Sequence, residues 1–114
     1  MDDVRSRDIR SLRASLGLSQ ELFSRVLDVS ARSVERWEAR GAVAVAIDDD
    51  VSRRLVATRE ILALAAEAYN GDVPAFMTTP RRSLRMRTPR EAMIHGDLEA
   101  VRQLLINALE GHWA

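Results

Sequence analysis

Apolar residues recur at every third or fourth position along most of this chain, the spacing that lines one side of an α-helix. Ile9, Leu12 and Leu16 do so over residues 6 to 16, a stretch capped by Ser6 and ended by Gly17. Ser19 then caps a helix carrying Phe23, Val26 and Leu27, which Asp28 ends, and Ser30 caps another whose inward positions are Val34 and Trp37. Asp48, Asp49 and Asp50 place negative charge at the start of a long helix running to about Tyr69, with Val51, Leu55, Leu62, Ala65, Ala66 and Tyr69 at helical spacing. Asn70 and Gly71 stop it, and Asp72 caps a short helix through Met77, before Pro80. Thr88, Pro89 and Glu91 form a capping-box start, closed by His95 and Gly96. Asp97 opens the last helix, whose stripe is Leu98, Val101, Leu104, Leu105, Ala108 and Leu109, ending at Glu110 and Gly111. The run AVAVAI, residues 42 to 47, fits a short strand, an extended linker or a helical lead-in equally well.

The expected fold is therefore all-α. Residues 1–47 form a helical bundle, residues 48–70 a connecting helix, and residues 71–114 a small helical module. Within the bundle, residues 18 to 40 read as two short helices meeting at a tight turn, a helix-turn-helix. Ser24 supplies the small residue needed where the two helices cross. With Val34 and Trp37 inward, Arg32, Ser33 and Arg36 lie on the face open to a DNA major groove. The Leu62, Ala65, Ala66 and Tyr69 face is either intramolecular core or the seam of a two-fold homodimer.

Composition narrows the chemistry. The 114 residues, 46% hydrophobic, suffice for one core, and with 4% aromatics that core is mainly aliphatic. Equal numbers of basic and acidic residues, 17 of each, give no global pull toward nucleic acid, so any DNA affinity is local. All the basic residues are Arg, which suits phosphate and guanine forks or reflects codon usage. With no cysteine and only two histidines, neither disulfides nor a metal site is expected. The polar start and the absence of an apolar run of roughly 18 residues point to a cytoplasmic protein outside the membrane. No nucleophile and base are paired, no Gly-rich phosphate loop occurs, and His95 reads as a cation at a helix C-terminus rather than a general base. An enzyme is not expected. Residues 81 to 90 hold five arginines and no acid, broken by Leu84 and Met86, and read as a basic surface loop with apolar anchors.

The frame Leu16, Gly17, Leu18, Ser19, Gln20, then Phe23, Ser24, Leu27, Val29, Ser30, Val34, Trp37 and Glu38, resembles the Xre/Cro family of helix-turn-helix repressors. The family commonly has Gly where this chain has Asp28, a residue that tolerates a left-handed backbone better than most. The resemblance implies that Gln20 holds a DNA phosphate and that Ala31, Arg32 and Arg36 face bases. It also implies a salt bridge between Arg13 and Glu38, and a two-fold dimer on operator DNA.

The second half resembles the toxin-binding domain of Xre/MbcA/ParS-type antitoxins, through Pro80, Leu84, Thr88, Pro89, Gly96, Val101 and the Gly111 that precedes an aromatic end. Phe76, Arg81 and Arg85 stand where that family commonly has Trp, Asn and Gly. The implied function is an antitoxin that binds a RES-domain toxin, an NAD-consuming enzyme, and represses its own operon. This chain itself then needs no cofactor. The expected toxin contacts are Arg81, Arg82 and Arg85 of the basic loop and the tail His112, Trp113 and Ala114, which covers the toxin's active-site entrance or, alternatively, folds back near Leu109. Two other readings use the same residues: an Xre-type regulator whose second half dimerises or binds an effector, and an interaction module with an idle DNA face.

Overall fold

The computed structural model describes residues 6–39 and 47–111, with side chains from residue 8 onward. Its elements are α1 (Ser6–Leu16), α2 (Gln20–Leu27), α3 (Ala31–Glu38), α4 (Asp49–Ala68), α5 (Val73–Met77), a 3-10 turn (Arg82–Leu84), α6 (Pro89–Ile94) and α7 (Leu98–Leu109). The fold is all-α. Most of the AVAVAI segment, residues 42 to 46, and the tail 112 to 114 with its Trp113 lie outside the described residues.

Local chemistry sets the helix ends. The Ser19, Ser30, Asp48, Asp72 and Thr88 side chains each accept from a backbone N–H in the first turn of the helix they precede, filling donors that have no intrahelical partner. Thr88 and Glu91 do so reciprocally. Asp97 departs from the pattern: it makes no side-chain cap on α7, and its carboxylate pairs instead with Arg87 at 2.8 Å.

One hydrophobic cluster runs through both halves of the chain. Phe23, Val26 and Leu27 of α2, Ile61 of α4, Phe76 and Met77 of α5, Met93 of α6 and Leu105 of α7 are at most 1% exposed. Burying each such side chain contributes about 1.5 to 3 kcal/mol. α4 lies along α7, α2 packs on both α3 and α6, and α1 touches α5, so the three stretches distinguished in the sequence share a single interior. Between the halves, Arg90 Nη1 donates to the Leu16 carbonyl at 3.5 Å. Gly17 lies beside it at φ 69°, and a Cβ there would come 3.1 Å from that nitrogen.

This packing corrects two expectations and favours one of two open alternatives. Leu109, assigned to the α7 stripe, is 39% exposed, because the helix ends there and nothing among the described residues covers it. Met86 is no anchor: it is 63% exposed, whereas Leu84, at 2%, carries the basic loop into the core. On α4, Ala65 is fully buried and Leu62 and Tyr69 pack against the core, so this face is largely taken up within the chain.

Candidate nucleic-acid interface and basic loop

α3 is fixed from both ends and from beneath. Ser30 Oγ accepts from Ser33 N–H at 3.1 Å, while Val34, fully buried, and Trp37, 7% exposed, hold the helix to the core. Arg32, Glu35 and Arg36 are left exposed. Neither arginine has a hydrogen bond or ion pair with a described residue, so both guanidinium groups are available to a ligand. Ala31 and Ser33 are half-buried at the start of the helix, and the Ser33 hydroxyl lies 3.0 Å from that of Ser30. The turn before α3 is made by Asp28 at φ 57° and ψ 48°, the left-handed conformation that Gly adopts most readily. Ser24 is buried beneath it, its hydroxyl donating to the Glu21 carbonyl.

The end of α3 is tied to α1 and α2 through Glu38, which is 4% exposed. Arg13 meets its carboxylate with both prongs, Nε to Oε2 at 2.7 Å and Nη2 to Oε1 at 2.8 Å. Gln20 Nε2 donates to the same Oε1 at 3.0 Å, and Arg10 Nη2 donates to the Glu38 backbone carbonyl at 2.6 Å. Burial pushes the Glu38 carboxyl up, but the hydrogen bonds from Arg13 and Gln20 and the charges of Arg13 and Arg10 outweigh it, leaving its pKa below the ordinary range. The bond to Glu38 correspondingly raises that of Arg13. Gln20, expected from the resemblance as a phosphate contact, thus uses an amide proton inside the protein. Sequence reasoning missed this partner and that of Arg10, since both depend on how three helices cross.

The basic loop is more irregular. An isolated antiparallel bridge joins Arg81 and Arg87, with Arg81 N–H donating to the Arg87 carbonyl at 3.0 Å and Met86 N–H to the Arg81 carbonyl at 2.8 Å. Closing so tight a loop requires left-handed backbone at Arg85 (φ 60°) and Met86 (φ 64°). The first is where the antitoxin family commonly has Gly, which gives that preference a steric reason. The arginines do not act as one patch. Arg82 and Arg85 are exposed, but Arg81 is half-buried, its guanidinium 5.4 Å from the centre of the Tyr69 ring and 5.2 Å from that of Phe76. Arg87 and Arg90 are used inside the chain, on Asp97 and the Leu16 carbonyl. Of the expected toxin contacts in this loop, only Arg82 and Arg85 are outward, joined by the exposed Met86. Among the described residues no cluster of His, Cys, Asp and Glu is arranged to hold a metal ion. No described helix is long and apolar enough to cross a membrane.

No family model matches the sequence, and no curated protein matches it either. The fold does have a solved relative. A chain of the M. tuberculosis MbcT–MbcA toxin–antitoxin complex is 26% identical, covers 96% of both chains and superposes with a TM-score of 0.62. Full-length coverage matters here, because it takes in α1 to α3, α4 and the basic loop in one continuous likeness rather than a shared helical fragment. The architecture of this chain is consistent with an MbcA-like antitoxin.

Proposed function

We propose that this protein is a cytoplasmic antitoxin that binds and neutralises a RES-domain, NAD-consuming toxin and represses the operon encoding the pair. The observation that carries the reading is the end-to-end likeness to a chain of a toxin–antitoxin complex. The toxin is held by the second half of the chain, through Arg82, Arg85 and the tail His112, Trp113 and Ala114 at the toxin's active-site entrance. Arg81 contributes by holding the loop on the Tyr69 and Phe76 rings. The chain is not itself an enzyme. Its two outward arginines on α3 read operator bases, as Arg does when it forks onto a guanine edge, and a homodimer presents two such helices to a two-fold operator.

The two arms are tested separately. The product of the adjacent gene should co-purify with the chain, and its NAD-consuming activity should fall when the two are mixed. A neighbouring product that is no RES-type enzyme, or one that stays fully active in the mixture, overturns the toxin arm. For the DNA arm, Arg32→Ala and Arg36→Ala should each cost about 1 to 3 kcal/mol on operator DNA relative to random duplex at fixed salt. Unchanged preference in both variants would remove α3 as the reading helix.

A further inference from the structure

α4 is buried on one side by the core; on the other, Glu60 pairs with Arg102 of α7, while Arg53, Val56, Ala63 and Glu67 are exposed. Val51, Leu55, Thr58, Ile61 and Ala65 face inward. Arg53, Val56, Glu60, Ala63 and Glu67 follow at alternating steps of three and four residues on the opposite side. Val56 is 57% exposed at the middle of this stripe. Beside it a groove of about 350 Å³ opens between α4 and α7, lined by Val56 and Ala57 together with Arg53, Glu60, Glu99 and Arg102. Arg102 spans the two helices there, donating to Glu60 at 2.8 Å and Glu99 at 3.3 Å.

We propose that this face binds a second copy of the chain, with the two α4 helices antiparallel about a two-fold axis midway between Val56 and Ala57. The charge order along the stripe selects this occupant. A two-fold contact must be complementary to itself, and residues equally distant from the axis meet. Residues 53 and 60 are equally distant from that midpoint, so Arg53 of each copy faces Glu60 of the other, and the pairing is made twice. Val56 sits next to the axis, so the Val56 side chains of the two copies meet at the centre and bury each other. Moving the axis to residue 60 sets Glu60 against itself, so the register is selected by repulsion as well as attraction. Each new pair extends contacts already present, from Arg102 through Glu60 to Arg53 and Asp50 of the other copy. This surface supplies the homodimer of the proposed function and depends on neither toxin nor operator.

Self-association is measured by sedimentation equilibrium on the free full-length chain at low salt. Wild type should dimerise, while Arg53→Glu and Glu60→Arg should each weaken the dimer at least about tenfold, by opposing like charges. A one-to-one mixture of the two variants should regain it, because each acid then meets an arginine. Circular dichroism checks that the variants remain folded. If Glu60→Arg unfolds for want of its Arg102 contact, Val56→Glu at its exposed position should give the same loss. A wild type that stays monomeric, a mixture that does not pair, or charge variants that dimerise as wild type does would each overturn the surface. Retained toxin binding by a monomeric variant would separate that outcome from failure of the antitoxin reading.

Discussion

The α2–α3 turn and the basic loop solve the same problem in different ways. Both reverse the chain through residues other than glycine in left-handed conformation: Asp28 in the first, Arg85 and Met86 in the second. The α2–α3 turn is flanked by two complete helices, each capped by a serine and pinned by buried side chains, so one strained residue is held by much regular structure. The loop has two strained residues in succession, flanked by a three-residue 3-10 turn with Leu84 buried and by no full helix on that side. A short polar side chain suits the left-handed region better than a long one, so the strain is larger where the support is smaller. What the loop gains is display: Arg82, Arg85 and Met86 stand out together. α3 offers two outward arginines on a rigid helix, whereas the loop offers a knuckle.

The contrast is bounded by the shared core, and the largest expected effect tests that bound. Phe76→Ala removes a 1% exposed ring that packs on Tyr69 with centroids 5.2 Å apart. A loss of about 3 to 5 kcal/mol is expected, with α1 to α3 and the C-terminal half unfolding in one transition. Separate transitions, seen by Trp37 fluorescence in a Trp113→Phe background against total helix content, would split the molecule into two units.

Next in size is the Glu38 junction, which ties α1, α2 and α3 together. Glu38→Ala strands Arg13, and because about a quarter of the Arg13 side chain reaches water the expected loss is about 3 kcal/mol, the low end for a broken buried pair. The folded-state pKa of Glu38 lies below its unfolded value. Its contribution is therefore complete above the ordinary glutamate range and is lost as pH falls through the lowered folded value. Chemical denaturation of wild type across that acidic interval should show this slope, and Glu38→Ala should lack its share of it. An unchanged midpoint and an unchanged slope would mean that the junction contributes nothing.

The smallest effect bears directly on the two turns. Arg85→Gly should stabilise the chain by up to about 1 kcal/mol, since glycine removes the Cβ penalty at φ 60°. Asp28→Gly should gain less, because aspartate already tolerates that geometry. Thermal unfolding of the two variants compares them, and a larger gain at residue 28 would reverse the assignment of where strain is stored.

Much of this was legible in the sequence because it is local. The caps at Ser19, Ser30, Asp48, Asp72 and Thr88, the stop at Asp28 and the inward Val34 and Trp37 each depend on residues within one or two turns. The Arg13–Glu38 bridge came through resemblance to related repressors, and the structure bears it out. What was not legible depends on crossing geometry. Nothing near Gln20 in sequence points to Glu38, nothing near Arg81 points to two rings on α4 and α5, and Asp97 has the sequence of a cap but pairs with Arg87. Met86 misled because an apolar residue in a polar loop resembles an anchor, and only the backbone reversal turns it outward.

On the proposed reading, α3 and the C-terminal half act on different partners from one folded unit. This is tested by titrating the neighbouring gene's product with purified chain, following NAD consumption, for wild type and for the Arg32→Ala, Arg36→Ala double variant. NAD consumption should fall to background at a fixed stoichiometry with both proteins, while only wild type retains operator preference. NAD consumption undiminished by excess wild-type chain would contradict the proposal, as would a double variant that no longer neutralises.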